Sequence, residues 1–300
     1  ISGAGNGAVG FDLTNGAALE NNGALTLTGS NSVGMRSRAG STLTNNGVVN
    51  VSSGTGLDVG GSGTTLAQGG SINVDNGVAG VRISDGAQLA LTGSDTLITT
   101  RGTAHGILLD SGAAALSARD ATINVLGSGN GIENRAELDN VSLSNLTLNV
   151  GDGNGIRTAV AFDPASTVTT NVTGSGNGLT IANADGSTTG GDLTLASGYV
   201  FNVTGAGGTG IRANTTGNIV TAASVNITNA AGGSALVSST AGTIVNRGTL
   251  RSSSLTAPVV DLRGGKTVFE NLGTIVTATA QSVAVAGSNA DDVILLTQGD

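Results

Sequence analysis

The stretch HGILLDSG at residues 105–112 holds the only histidine of the chain, His105, together with Asp110 and Ser111. These are the residue types of a hydrolytic triad, in which an imidazole takes the proton of a hydroxyl while a carboxylate orients the ring. That chemistry requires the three side chains to converge. His105 and Asp110 would instead lie about 15 Å apart on an extended strand, and no GxSxG elbow surrounds Ser111. His105 therefore reads as a residue just before a strand anchor. GAGGTG at 205–210 satisfies the dinucleotide pattern GxGxxG and follows the strand-like YVFNVTG. The fingerprint works only where a helix starts at that point, so that a pyrophosphate meets its positive end, and IRANTTGNIV at 211–220 has no helical pattern. Asp291 and Asp292 are the only adjacent acidic pair, in a single faint copy of a calcium-binding repeat, GSNADDVIL. A polysaccharide lyase or glycosidase, the enzyme alternative, needs clustered carboxylates. Here 16 Asp and 4 Glu are scattered, and Tyr199 and four Phe are the only aromatic residues for sugar platforms. No catalytic residue, cofactor or metal site is expected.

The elements that would position any such group follow from composition. Among 300 residues 51 are Gly, a density that helix interiors do not tolerate. Val, Ile, Leu and Ala flanked by Thr, Asn and Ser belong to strands and turns. Charged residues are 11% of the chain, too few for a disordered segment. Cysteine is absent, which excludes disulfides and thiolate metal sites. A net charge of −8 disfavours nucleic acid, heparin-like polyanions and anionic membranes as partners. No apolar stretch approaches the length of a membrane-spanning helix. The chain starts at Ile1 without a signal-like segment and reads as a piece of something longer.

A glycine–polar–glycine–aliphatic phrase recurs, as in GNGIEN (129–134), GNGIRT (153–158) and SGNGLTI (175–181). Aligned on the aliphatic residue, the anchors are Phe11, Met35, Leu57, Val81, Ile107, Ile132, Ile156, Leu179, Ile211, Leu236, Val260 and Val283. Their spacings are 24, 22, 24, 26, 25, 24, 23, 32, 25, 24 and 23, a solenoid period. Within a rung, three short alternating strands are separated by three corners. A second motif, NNGALTL (21–27), NNGVVNV (45–51), GGSINV (69–74), NRGTLRS (246–252) and NLGTIVT (271–277), marks a corner and the next strand. Its Asn residues suit left-handed corners and ladders of side-chain amides. A column one residue past the anchors should face solvent. It begins Asp12, Arg36, Asp58, Arg82 and later gives Glu133 and Arg157, alternating charges that should pair between rungs. Thr26/Thr28, Thr42/Thr44 and Thr167/Thr169 share no common register, so an ice-binding face is not expected.

The N-x-G-x-aliphatic rungs, the absence of Cys, the Gly/Asn/Thr/Val composition and the closing GSNADDVILLTQGD resemble autotransporter passenger domains of Gram-negative bacteria, in the pertactin-like and diffuse-adhesin-like style. Eleven Arg against one Lys fits a GC-rich genome. The resemblance implies type V secretion to the bacterial cell surface and tasks such as adhesion, autoaggregation or capture of host serum proteins. Expected partners are a host cell-surface, matrix or serum protein, with self-association along the rod, no nucleic acid and no membrane insertion. The passive spacer is the second alternative.

The predicted fold is all-β: one continuous right-handed parallel β-helix over residues 1–300, about twelve rungs of about 24 residues with three short strands each. Handedness follows from the resemblance and the crossover rule. Solenoids place function on irregularities. The largest is the 32-residue interval from Leu179 to Ile211, where ANADGSTTGGD (182–192) reads as a protruding loop. AVAFDPAS (159–166) is the second. The candidate binding residues are Phe162, Asp163, Asp185, Asp192 and Tyr199.

Overall fold

A computed structural model describes residues 1–160, 162, 165–183, 185–239 and 242–297. The described chain contains strands and turns and no helix, and the strands pair in parallel. It divides into two compact units, Ile1–Asn149 and Val150–Asp300. Each is a right-handed parallel β-helix, as the repeat predicts.

In the first unit the chain visits three sheets in turn. The first includes Ala24–Leu27, Val48–Val51 and Ser71–Val74. The second consists of Val9–Leu13, Ser32–Ser37, Gly54–Gly60, Gly77–Ser84, His105–Leu109 and Ile132–Asn134. The third includes Ala18–Asn21, Thr42–Asn45 and Thr65–Gln68. In the second unit the corresponding second sheet is Ile156–Thr158, Asn177–Ile181, Thr209–Ala213, Leu236–Ser238, Val260–Asp261 and Val285–Ala286.

The anchors stack as the sequence phrase implies. Phe11 pairs with Met35, Met35 with Leu57, Leu57 with Val81, Val81 with Ile107 and Ile107 with Ile132. In the second unit Ile156, Leu179, Ile211, Leu236 and Val260 follow one another. The final anchor is corrected: Val260 pairs with Val285, and Val283 is 54% exposed. A slip of two residues preserves the in/out alternation of a strand, so the pattern alone could not distinguish them. The core is made of aliphatic columns, with Val49 and Ile72 from the first sheet, Leu57 and Val81 from the second, and Leu43 and Leu66 from the third, all at most 1% exposed. Each such burial contributes about 1.5–3 kcal/mol.

The recurring glycine phrase serves two purposes. Its first glycine sits at a corner, where a Cβ on Gly129 or Gly176 would strike the carbonyl of the rung before. Its second, expected to belong to the same corner, lies within a strand at Gly34, Gly56, Gly80, Gly106, Gly178 and Gly210. A Cβ on Gly178 would lie 2.7 Å from the Gly210 carbonyl oxygen and 2.6 Å from Phe201 Cδ1. These glycines let the second sheet close upon both the next rung and the side chains of the first sheet.

Asn at the corners divides between the two expected uses. Asn15, Asn31 and Asn145 adopt the left-handed conformation (φ 56°, 52° and 53°). In the NNG motif the first Asn turns inward. Asn21 Nδ2 donates to Asn45 Oδ1 (2.7 Å) and Asn45 Nδ2 to Gln68 Oε1 (2.9 Å). The second unit repeats this with Asn246 Nδ2 donating to Asn271 Oδ1 (2.7 Å). Buried amides of this kind hold register, because each has a hydrogen bond that only its counterpart one rung away completes.

Gly34→Ala should be strongly destabilising, since its Cβ would fall 2.5 Å from Val49 Cγ1 and against the backbone carbonyl of Gly56. Overpacking of this type costs about 1–3 kcal/mol or more. Gly5→Ala, with nothing within 4 Å, should stay within about 0.5 kcal/mol of the parent. Urea unfolding midpoints of the two variants test the difference.

Candidate functional site

The tempting catalytic residues of the sequence are dispersed into structural work. His105 Nδ1 accepts the backbone N–H of Asn130 at 3.0 Å, from the next rung. Asp110 Oδ2 instead accepts both Nε and Nη2 of Arg82, at 3.0 and 2.8 Å. GAGGTG runs into the strand Thr209–Ala213 rather than into a helix. Asp292 braces its own corner by accepting the Ser288 N–H and ties it to the rung before by accepting the Thr267 N–H (2.8 Å). Among the described residues no group of three or more His, Cys, Asp or Glu is placed to hold a metal ion.

The charge column takes the predicted register. Asp12, Arg36, Asp58 and Arg82 are successive cross-strand neighbours on the second sheet. Arg36 lies 3.4 Å from Asp12 and 3.7 Å from Asp58, and Arg82 lies 3.6 Å from Asp58 Oδ1. Arg38, absent from the predicted column, makes the shortest contact, 2.5 Å to Asp58 Oδ2. The column is not uniformly exposed, as had been expected. Three arginine side chains close over Asp58, leaving it 6% exposed, and Glu133 is 1% exposed beneath Asn130 and Arg135. Leu108, paired with Arg82 on one side and Glu133 on the other, is also 1% exposed. Alternation places a side chain outside the coil; whether solvent then reaches it depends on the length of its neighbours.

Burial of Asp110 works against its ionisation, but hydrogen bonds from Arg82 and from the Ser111 N–H outweigh it and hold the carboxyl below its ordinary value.

In the second unit, two of the five binding candidates belong to the core. Tyr199 is 1% exposed with its ring stacked on Phe201 at 6.3 Å, and Phe162 is 7% exposed. Tyr199 extends the inward column of Val168, and Phe162 is likewise buried, so neither is a contact surface. Asp163 lies outside the described residues. Asp192 is exposed and its Oδ1 accepts the Asn218 N–H at 2.6 Å, a corner brace between rungs. Asp185 is the remaining candidate. It caps a turn by accepting the Ser187 N–H at 2.8 Å, and its carboxyl is lowered chiefly by hydrogen bonds from Ser187, with the charge of Arg157 adding to them.

The segment around Asp185 is folded back rather than free. Asn183 Nδ2 donates to the carbonyl of Thr188 (3.0 Å), Asn214 Nδ2 to the carbonyl of Gly186 (2.9 Å), and Thr188 Oγ1 to Asn214 Oδ1 (2.8 Å). Thr189 forms a parallel bridge with Thr215. Pinned in this way, the loop walls an open groove of about 330 Å³ on the outer face of the second sheet, lined among others by Asn154, Arg157, Asn177, Thr180, Arg212 and Asn214. Arg157, Thr180 and Arg212 are register neighbours. Arg157 Nη2 donates to the carbonyl of Asn183 at 2.8 Å and so supports the loop from beneath. Asn177 Nδ2 and Thr180 Oγ1 both donate to Asn154 Oδ1 at 2.7 Å. The sequence pointed to the insertion but not to this groove. Its signal was present in the column of residues after the anchors, where Arg157, Thr180 and Arg212 form a cationic and polar run.

Compared with known proteins, the chain matches no family model, no curated protein and no solved structure.

Because its folded pKa is depressed, Asp110 contributes stability that is complete above the ordinary carboxylate range and lost as pH falls through the lowered value. Wild type should therefore exceed Asp110→Asn in urea midpoint by a constant margin from pH 7 to about pH 4, and the margin should shrink below that. A margin that grows on acidification would contradict the assignment. Asn214→Ala should accelerate amide exchange at Gly186 and Ser187 by at least about tenfold, the equivalent of 1.4 kcal/mol. Exchange in the strand Leu236–Ser238 should stay unchanged, as measured by hydrogen–deuterium exchange.

Proposed function

We propose that this chain is a binding segment of a Gram-negative autotransporter passenger domain. On this reading it is displayed at the bacterial cell surface and acts by non-catalytic adhesion, autoaggregation or capture of a host cell-surface, matrix or serum protein. The observation that carries the binding reading is the groove at the 32-residue interval between Leu179 and Ile211, the largest departure from the rung period. There the coil holds an inserted loop in a fixed position by side-chain hydrogen bonds from Asn183 and Asn214. A loop ordered over a polar, cationic surface supplies a recognition face, whereas a passive spacer has no need of one. Elsewhere polar side chains are used rung to rung, as in the ladders of Asn171, Asn202 and Asn226 (3.0 and 3.2 Å). The passenger reading rests on the resemblance of the repeats and on a fold suited to vectorial assembly, since each rung needs only its neighbour as a template.

Incubation of the chain with human serum and with an epithelial-cell surface extract, read by mass spectrometry of captured proteins, tests the reading. A saturable partner is the expected result. Absence of any partner from both sources, together with silence on a glycan array, would replace binding by the spacer role.

A further inference from the structure

The groove contains one cation, Arg212, whose terminal nitrogens make no close ion pair among the described residues, although its charge reaches Asp261. Arg212 is exposed, and among the described residues its only hydrogen bond is a long one, from Nε to Asn177 Oδ1 at 3.5 Å. Its terminal nitrogens make no ion pair or hydrogen bond among the described residues, in contrast to Arg36, Arg38 and Arg82 of the first unit. Around it lie uncharged polar groups, the amides of Asn177 and Asn214 and the hydroxyl of Thr180, each engaged within the fold and each retaining further donor or acceptor capacity. Arg157 and Arg212 occupy positions two rungs apart with Thr180 between them, a separation of about 9–10 Å at the usual strand spacing.

We infer that this groove binds a terminal sugar bearing a single carboxylate, with the guanidinium of Arg212 on the carboxylate and the Asn and Thr side chains on the hydroxyls. The inference rests on the binding-module reading above and gives it a substrate class. A planar guanidinium matches a carboxylate bidentately. Amides and hydroxyls match sugar hydroxyls, which likewise both donate and accept. The cavity of about 330 Å³ is at the small end of ligand sites, the size for one or two rings rather than a long chain. Net charge sets the upper limit on the ligand's own. The chain carries −8, and the groove's two arginines already act on carboxylates, Arg157 on Asp185 and Arg212 on Asp261. A polyanion would press its further charges against these carboxylates, while a single terminal acid meets only the arginine. An acidic peptide fits less well. The strand Asn177–Ile181 is paired on both edges, leaving no backbone for strand addition, and Phe162 and Tyr199 are buried and provide no apolar pocket.

The test titrates the whole chain by calorimetry with 3′-sialyllactose, lactose and glucuronic acid. Wild type should bind at least one of the acidic sugars saturably, with lactose at least tenfold weaker and with binding weakened by salt. Arg212→Gln should lose at least tenfold in affinity for that acid with an unchanged melting temperature, because the side chain is exposed and makes no ion pair. Arg251→Gln, exposed on the first sheet, should bind as wild type does. Equal binding of lactose, an unaffected Arg212→Gln variant, or no saturable binding of either acidic sugar would overturn the inference. So would an acidic peptide that requires Arg212 when the sugars do not bind. Serum and cell-extract capture by Arg212→Gln separates the two readings. A partner retained by this variant leaves the binding module standing and removes the groove, whereas no partner for wild type together with no binding of any glycan removes both.

Discussion

Every strand within a unit must hydrogen-bond its counterparts one rung away, at a spacing the backbone fixes at about 4.8 Å. From that constraint the rest follows. Residues at equivalent positions are stacked against one another, so the environment of each side chain is set by its own column. Aliphatics stack on aliphatics, as Leu57 on Met35 and Val81 on Leu57. Glycines stack where sheets converge, because a Cβ in that column would meet either the carbonyl of the next rung or a first-sheet side chain such as Phe201. The glycine phrase is thus a packing requirement as much as a turn signal.

Polar residues obey the same rule, and this is why so much polarity can be buried in so regular a coil. A corner amide such as Asn45, fully buried, accepts from Asn21 below and donates to Gln68 above. Opposite charges in one column pair at the strand spacing, and long arginine side chains then close over the shorter carboxylate, as around Asp58. Asp58 Oδ1 has no hydrogen-bond partner among the described residues and is held by the electrostatics of Arg82 at 3.6 Å. Such a cluster fixes local register more than it adds stability, since its arginines remain about a third exposed and screened by solvent.

Where repetition is this strict, function has to enter where it breaks. The insertion between Ile181 and Leu193 leaves the pairing of Asn177–Ile181 with Thr209–Ala213 intact and touches the regular stack through the bridge of Thr189 to Thr215. Its turn is closed by its own Asn183, Asp185 and Ser187, and its position is fixed by Asn214 from the following rung. The regular face beneath contributes Arg157, Thr180 and Arg212 in register. The groove is made by a local irregularity resting on a repeating surface, and each part alone would be unremarkable.

The sequence by itself determined the fold class, the period, the anchor columns and the Asp12–Arg36–Asp58–Arg82 ladder. These depend on alternation and spacing, which are local properties that parallel stacking repeats without change. It also located the insertion, because an eight-residue excess is visible as a broken period. Tertiary structure alone decided which side of a wall each large residue occupies. Tyr199 and Phe162 pass from candidate contacts to core, since a ring near a corner can point either way until the neighbouring columns are in place. It decided exposure along the charge column too, because covering Asp58 requires Arg38, which is distant in the pattern yet adjacent in space. It likewise decided that Val285 rather than Val283 closes the anchor column, as alternation is blind to a slip of two. The groove around Arg212 was hidden for the same reason: it joins residues from successive rungs, and no stretch of sequence contains the geometry that brings them together.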